Sequence, residues 1–121
     1  HAWWDDRYEK YFAECDEIWH AGDIGSVQVA DRFEALKPFR AVYGNIDGQE
    51  LRIRYPQHQR FSIENTDIWI THIGGYPGRY AREVTPEIYI HGFHKKRTLV
   101  RFAIDKGEFK DLEVIELADN R

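Results

Sequence analysis

The stretch Ile18-Trp19-His20-Ala21-Gly22-Asp23-Ile24-Gly25-Ser26 (residues 18–26) decides the fold. Ile18 and Trp19 favour extended backbone. Gly22 and Gly25 permit a tight turn. Ser26 is a good N-cap for the apolar-periodic run that follows it. The reading is a buried strand that stops at Gly22-Asp23, turns, and enters a helix. Open α/β sheets place ligands outside the carboxyl ends of their strands. Asp23 stands at that place, which makes it the first candidate metal ligand.

Working outward, Tyr8, Tyr11, Phe12 and Cys15 recur at helical spacing. They predict a helix over 5–15, with Asp5 and Asp6 at its amino end, where the macrodipole favours acids. Val27, Val29, Ala30, Phe33 and Leu36 predict an amphipathic helix over 27–37, ended by Pro38. Residues 39–43 read as a second strand closed by Gly44-Asn45-Ile46-Asp47-Gly48. Two successive strand–turn–helix units imply a parallel sheet with right-handed crossovers. Residues 49–60 are polar, contain Pro56 and read as loop or edge structure. Residues 60–64 and 68–72 read as a hairpin turning at Asn65-Thr66-Asp67, with the second strand running into Thr71-His72-Ile73-Gly74-Gly75. Residues 87–90 form a short strand, and 98–104 with 109–117 a terminal hairpin around Asp105-Lys106-Gly107.

A chain of 121 residues that is 42% hydrophobic, with four Trp, seven Tyr and seven Phe, has enough apolar material for one globular domain. A net charge of −4 gives no basic excess, so a nucleic-acid backbone is not the expected partner. The single cysteine, Cys15, excludes an intramolecular disulfide and fits a reducing compartment. No apolar run approaches the roughly 18 residues that span a bilayer, and no signal peptide is visible. The expectation is a cytoplasmic domain without a membrane partner. Met is absent and the sequence opens on His1. Both facts are compatible with these residues being a subset of a longer chain.

Three apolar strands thus close on Asp23, Asn45 and His72. Oxygen and imidazole donors without thiolates suit Mn²⁺, Mg²⁺, Fe²⁺ or Zn²⁺ in a hydrolytic site. Two such ions sharing a carboxylate acidify a water and clamp a phosphate through opposed oxygens. The ordered series "HAGDIG", "YGNIDG", "ITHIGG" resembles the calcineurin-like metallophosphoesterases, in their small prokaryotic phosphodiesterase branch. The resemblance covers most of the chain in motif order. It implies an α/β fold, a four-layer α/β/β/α sandwich of two mixed sheets flanked by helices. It also implies two divalent metal ions at the strand ends, Mn²⁺ first among them, with Ni²⁺ also in the set. On it, Asp23 bridges both metals, Asn45 and His72 bind the second, and Asn45 also touches phosphate.

The sequence departs from the family pattern in two places. The family opens on a strand ending in Asp-x-His, and the alignment of spacing makes His1 that histidine and a metal ligand; the alternative is a tag remnant. The family also carries Gly-His-x-His where this chain has Ile90-His91-Gly92-Phe93-His94. Either His91-Gly92-Phe93-His94 is a degenerate version, with His94 a ligand, or "GFHKKRTLVRFAID" follows a segment missing between Ile90 and His91, with His94 at the substrate rim. The second is preferred. Residues 1–121 then form a single metallophosphoesterase-like domain lacking a first strand before His1 and a segment after Ile90.

The other candidates read as structural. Asp47 fits an Asp-Gly turn, His20 alternates away from Asp23, and His58 is a surface residue. Trp3 and Trp4 read as packing or interface residues. Arg79 and Arg82 are compatible with phosphate attraction and equally with a solvated loop. Ile46 stands where larger relatives carry a proton-donating histidine. The expected function is a metal-dependent phosphodiesterase or phosphatase acting on a phosphate ester or nucleotide. Asp23 and Asn45 are its catalytic residues, and the attacking group is a metal-bridging hydroxide. The alternative is a non-catalytic scaffold on the same fold, as in the retromer coat. Exposed aromatics and a sheet edge are compatible with a homo-oligomer.

Overall fold

The computed structural model describes residues 4–72, 88–91 and 98–116. Helix α1 (Arg7–Phe12) leads to β1 (Ile18–His20), α2 (Val27–Leu36), β2 (Phe39–Ala41) and α3 (Gln49–Arg54). Strands β3 (His58–Ile63), β4 (Thr66–Thr71), β5 (Ile88–His91), β6 (Thr98–Asp105) and β7 (Glu108–Glu116) follow. The result is a mixed α/β fold of helices and small sheets.

The first half is the predicted strand–turn–helix repeat. Strands β1 and β2 pair in parallel, Ile18 with Phe39 and His20 with Ala41, so both carboxyl ends reach one edge. Ser26 Oγ accepts the Val29 N–H and caps α2 as its sequence predicts. Val29, Ala30 and Phe33 of α2 are buried. They form a core with Ile18, Ile24, Ala41, Leu51 and Tyr55, against which Trp4, Tyr8, Phe12, Val27, Leu36 and Phe39 pack. Phe33 is the hub, with ring centroids of Trp4 at 4.8 Å, Tyr8 at 5.4 Å and Phe39 at 5.2 Å. Helix α1 is shorter than the predicted 5–15. Asp5, rather than an α1 residue, is buried there, and its carboxylate accepts from the Arg7 backbone N–H and guanidinium.

Residues 49–60 correct the sequence reading. Gln49–Arg54 is a helix rather than a loop. Leu51 is buried, and Tyr55, which caps the helix, lies one turn on beside it in the first core. The remaining face is held to α2 through ion pairs from Arg54 to Asp31 and Glu34 and a hydrogen bond from Tyr55 Oη to Glu34.

The other face of β1–β2 packs on a second core. Val42, Ile68 and Ile70 are fully buried there, with Trp19, Ala21, Phe61, Ile63, Ile90 and Ile104 against them. Its floor is the sheet β3–β4–β5, antiparallel between β3 and β4 and parallel between β4 and β5. Strand β4 lies central, and all its residues but Asp67 are buried. Within β5, Ile90 and His91 pair with Ile70 and Thr71. The β3–β4 turn is tighter than predicted. Only Glu64 and Asn65 separate the strands, both at positive φ (49° and 67°), as a two-residue turn matching strand twist requires. Lys106-Gly107 makes the same turn between β6 and β7, whose pairing carries a bulge between Arg101 and Ala103. Thr66 Oγ1 donates to the Gly107 carbonyl and ties the two hairpins.

Candidate metal centre

The carboxyl ends of β1, β2 and β4 converge on one edge. The loop after β1 places Gly22 at φ 103° and Asp23 at φ 59°. Gly22 is required twice over. Its backbone is left-handed, and a Cβ on it would come within 2.6 Å of the His72 imidazole. Aspartate tolerates the left-handed region better than most residues. That conformation turns the Asp23 carboxylate across the edge, where Oδ1 accepts the Ile46 N–H at 3.1 Å. Gly44 lies so close beneath Asp23 that a Cβ there would fall onto its carboxylate.

A second carboxylate holds the two loops together. Asp47 is 3% exposed, and its oxygens accept N–H bonds from Ile24 (3.2 Å), Gly25 (2.8 Å) and Gly44 (2.8 Å). The structural role expected of Asp47 is correct, but the sequence motif of an Asp-Gly turn understates it. This one anion collects orphan donors from both glycine loops.

His72 follows β4 and is buried at 5% exposure. Its Nδ1 lies 2.8 Å from the Ala21 carbonyl oxygen. A carbonyl only accepts, so this contact assigns the proton to Nδ1. Nε2 faces Asp23 Oδ2 at 3.3 Å; in the neutral tautomer that nitrogen carries the lone pair. Two ligand atoms at about 2.1 Å from one divalent ion stand about 3.0–3.4 Å apart for angles between octahedral and tetrahedral. Asp23 and His72 have that spacing, and the Nδ1–H to carbonyl bond is the usual support of a metal-ligating imidazole. The donor set fits a divalent cation. Among the described residues no three His, Cys, Asp or Glu side chains come together as a metal cluster.

Asn45 is exposed on the loop after β2. It borders a cleft of about 180 Å³ with Tyr43, Gly44, Arg52, Gln57, Thr71 and His72. The structure therefore brings together Asp23, Asn45 and His72. His1 and His94, along with Arg79 and Arg82, lie outside the described residues, as does Trp3. Trp4 packs in the first core, with the Arg32 guanidinium 4.3 Å from its ring. His20 Nδ1 accepts the Gly22 N–H, and burial between Phe33 and Phe39 lowers its pKa to about 4. That neutral imidazole shapes the loop, as its structural reading expects. His58 is exposed on β3, with Nδ1 2.8 Å from Thr71 Oγ1. Sequence reasoning missed Arg52, because it missed α3; Leu51 and Tyr55 at i, i+4 spacing behind a glycine was the available signal.

Residues 1–101 match the calcineurin-like phosphoesterase superfamily domain. The chain belongs to that superfamily. A probable metallophosphoesterase of Methanothermobacter thermautotrophicus is 33% identical over 66 residues, 54% of this chain and 38% of that protein's length. In structure, this phosphoesterase-superfamily chain is similar to Thermotoga maritima protein TM1076, at a TM-score of 0.70 and 19% identity over 93% of this chain and 88% of that one. It is also similar to Vps29 of Entamoeba histolytica, at a TM-score of 0.63 and 13% identity over 94% of this chain and 90% of that one. Those likenesses support the fold. Divalent-metal binding is general in the superfamily. Among the described residues no helix is long and apolar enough to cross a membrane.

Proposed function

We propose that this domain is a divalent-metal-dependent phosphoesterase, a phosphodiesterase or phosphatase, built on the superfamily's four-layer sandwich. The observation that carries the reading is the Asp23–His72 pair. A buried imidazole, its Nδ1 committed to the Ala21 carbonyl, aims Nε2 at a carboxylate oxygen 3.3 Å away. Either a proton on Nε2 or a cation between the two atoms would satisfy this contact, and membership of the metallophosphoesterase superfamily supports the cation.

Asp23 and His72 would hold the metal, with the Asn45 amide oxygen beside them. Bound there, a divalent ion such as Mn²⁺ would polarise phosphoryl oxygens and acidify water. The chain's own residues do the rest. The Asp47 carboxylate fixes both glycine loops, so Asp23 and Asn45 keep their separation as charge moves in the cleft. Asn45 offers its amide N–H to a phosphoryl oxygen. Ile46 carries no proton to a leaving group, so esters with good leaving groups are favoured. The test is hydrolysis of p-nitrophenyl phosphate esters after chelation and Mn²⁺ addition. Mn²⁺-restored turnover that Asp23→Asn abolishes supports the reading; turnover surviving Asp23→Asn overturns it.

A second reading, a binding scaffold, draws on the likeness to Vps29, named for vacuolar protein sorting. Calorimetric Mn²⁺ titration separates the two, since a scaffold needs no ion at Asp23.

A further inference from the structure

We propose that Arg52 makes the cleft a reader of phosphate charge and selects phosphomonoesters, whose phosphoryl group carries a second ionised oxygen, over diesters. This rests on the phosphoesterase reading and names its substrate class. Among the described residues lining the cleft, Arg52 is the one guanidinium or ammonium group. Tyr43, Gly44, Asn45, Gln57, Thr71 and His72 supply no fixed charge beside it.

The guanidinium is held from one side. Nε donates to the Asp47 carbonyl at 2.7 Å, and the group lies over the Tyr43 ring with Cζ 4.6 Å from its centroid. Nη2 reaches the Gly44 and Asn45 carbonyls only at 3.5 Å, the outer limit of a hydrogen bond. The terminal N–H edge is therefore positioned but weakly engaged. It stands against the Asn45 loop, whose side chain lines the same cleft as His72. A planar, pre-placed fork of this kind suits two oxygens of one phosphate. A diester offers one ionised oxygen, which Asn45 and a cation at Asp23 already address. A monoester offers a second, which Arg52 is placed to take.

The experiment compares wild type, Arg52→Lys and Arg52→Gln on p-nitrophenyl phosphate and bis(p-nitrophenyl) phosphate, each with Mn²⁺. A charged hydrogen bond of ordinary strength predicts that Arg52→Gln loses about 10- to 100-fold in kcat/KM on the monoester and less than about threefold on the diester. Arg52→Lys restores part of the monoester rate. Equal losses on both esters would show that Arg52 only braces the Asn45 loop, and would overturn the proposal, as would no loss on either. A second readout needs neither metal nor turnover. In chelated protein, inorganic phosphate at millimolar concentration shifts the Arg52 Nε–Hε NMR resonance, identified by its absence in Arg52→Lys. An unmoved resonance overturns the proposal. If phosphate moves it while neither ester is hydrolysed, the anion subsite stands and the phosphoesterase reading falls.

Discussion

Nε2 of His72 stands 3.3 Å from Oδ2 of Asp23, although 49 positions separate them in the chain. The Ala21 carbonyl, two residues before Asp23, orients the ring from its other nitrogen at 2.8 Å. One loop thus supplies both the facing carboxylate and the orienting acceptor. Asp23→Asn keeps the left-handed backbone and the Ile46 N–H contact, so the fold persists. Outer-sphere partners cost 10–100-fold in metal affinity, and loss of the carboxylate itself is expected to cost more than about 100-fold. Isothermal calorimetry with Mn²⁺ checks this.

The glycines give a contrast. Gly22→Ala forces a Cβ onto His72 at a φ of 103°, and Gly44→Ala forces one onto Asp23. Each is expected to destabilise the protein by about 2–4 kcal/mol, from a left-handed backbone or a clash. On the proposed metal site, each is also expected to weaken Mn²⁺ binding. A Cβ on Gly48 would meet nothing within 4 Å. Gly48→Ala is expected within about 0.5 kcal/mol of wild type, since the loss of glycine as N-cap is offset by the smaller unfolded-state entropy of alanine at an ordinary negative φ. Urea denaturation orders the three.

Asp47→Asn presents an amide NH₂ to backbone donors that need an acceptor. Oδ2 serves two of them, Ile24 and Gly44, and Oδ1 serves Gly25. Only one side can be kept. The expected destabilisation is about 2–4 kcal/mol, from unsatisfied buried N–H groups and a lost charged acceptor. Asp23 and Asn45 lose their fixed spacing as well. Denaturant melts and Mn²⁺ affinity are expected to fall together.

His20 gives a pH signature. Burial lowers its pKa to about 4 from an ordinary 6.5. The folded state therefore binds fewer protons than the unfolded chain between these values, so stability rises with pH across that window. The contribution is complete above about pH 6.5 and is lost as pH falls towards 4, amounting to about 1–3 kcal/mol. His20→Gln is expected to flatten this part of a stability–pH curve measured by chemical denaturation.

Phe33→Ala removes the ring against which Trp4, Tyr8 and Phe39 pack. A buried Phe→Ala change costs about 3–5 kcal/mol. This core lies on the helical face of β1–β2, and it reaches the Asp23 loop only through Ile24 and His20, so Mn²⁺ affinity of the protein that remains folded is expected to fall less than in Asp23→Asn. Calorimetry below the shifted melting temperature checks the separation.

Much of the architecture was legible because its signals are local. Ser26 capped α2, Val29, Ala30 and Phe33 marked its buried face, and the Lys106-Gly107 turn fixed the last hairpin. Helix α3 was only faintly legible, through Leu51 and Tyr55 at i, i+4 spacing. It is six residues long, polar, and held by Arg54 and Tyr55 to acids on α2 rather than by its own periodicity. Arg52 went with it. Trp19 read only as a strand former, yet it faces the second core beside Phe61 and Phe102. That follows from sheet stacking, which no neighbouring residue encodes.

By itself, the sequence determined where strands stop and which donor atoms stand at their ends: a carboxylate at Asp23, an amide at Asn45, an imidazole at His72. Turn chemistry and side-chain identity are properties of a few adjacent residues. The tertiary structure decided which of these meet. The approach of His72 to Asp23 depends on β4 burying Ile68 and Ile70 against Val42. The fit of the two glycine loops depends on Asp47 gathering donors from positions 22 and 23 residues away. Those contacts form only once two separate cores exclude water, and that exclusion is a property of the packed chain as a whole.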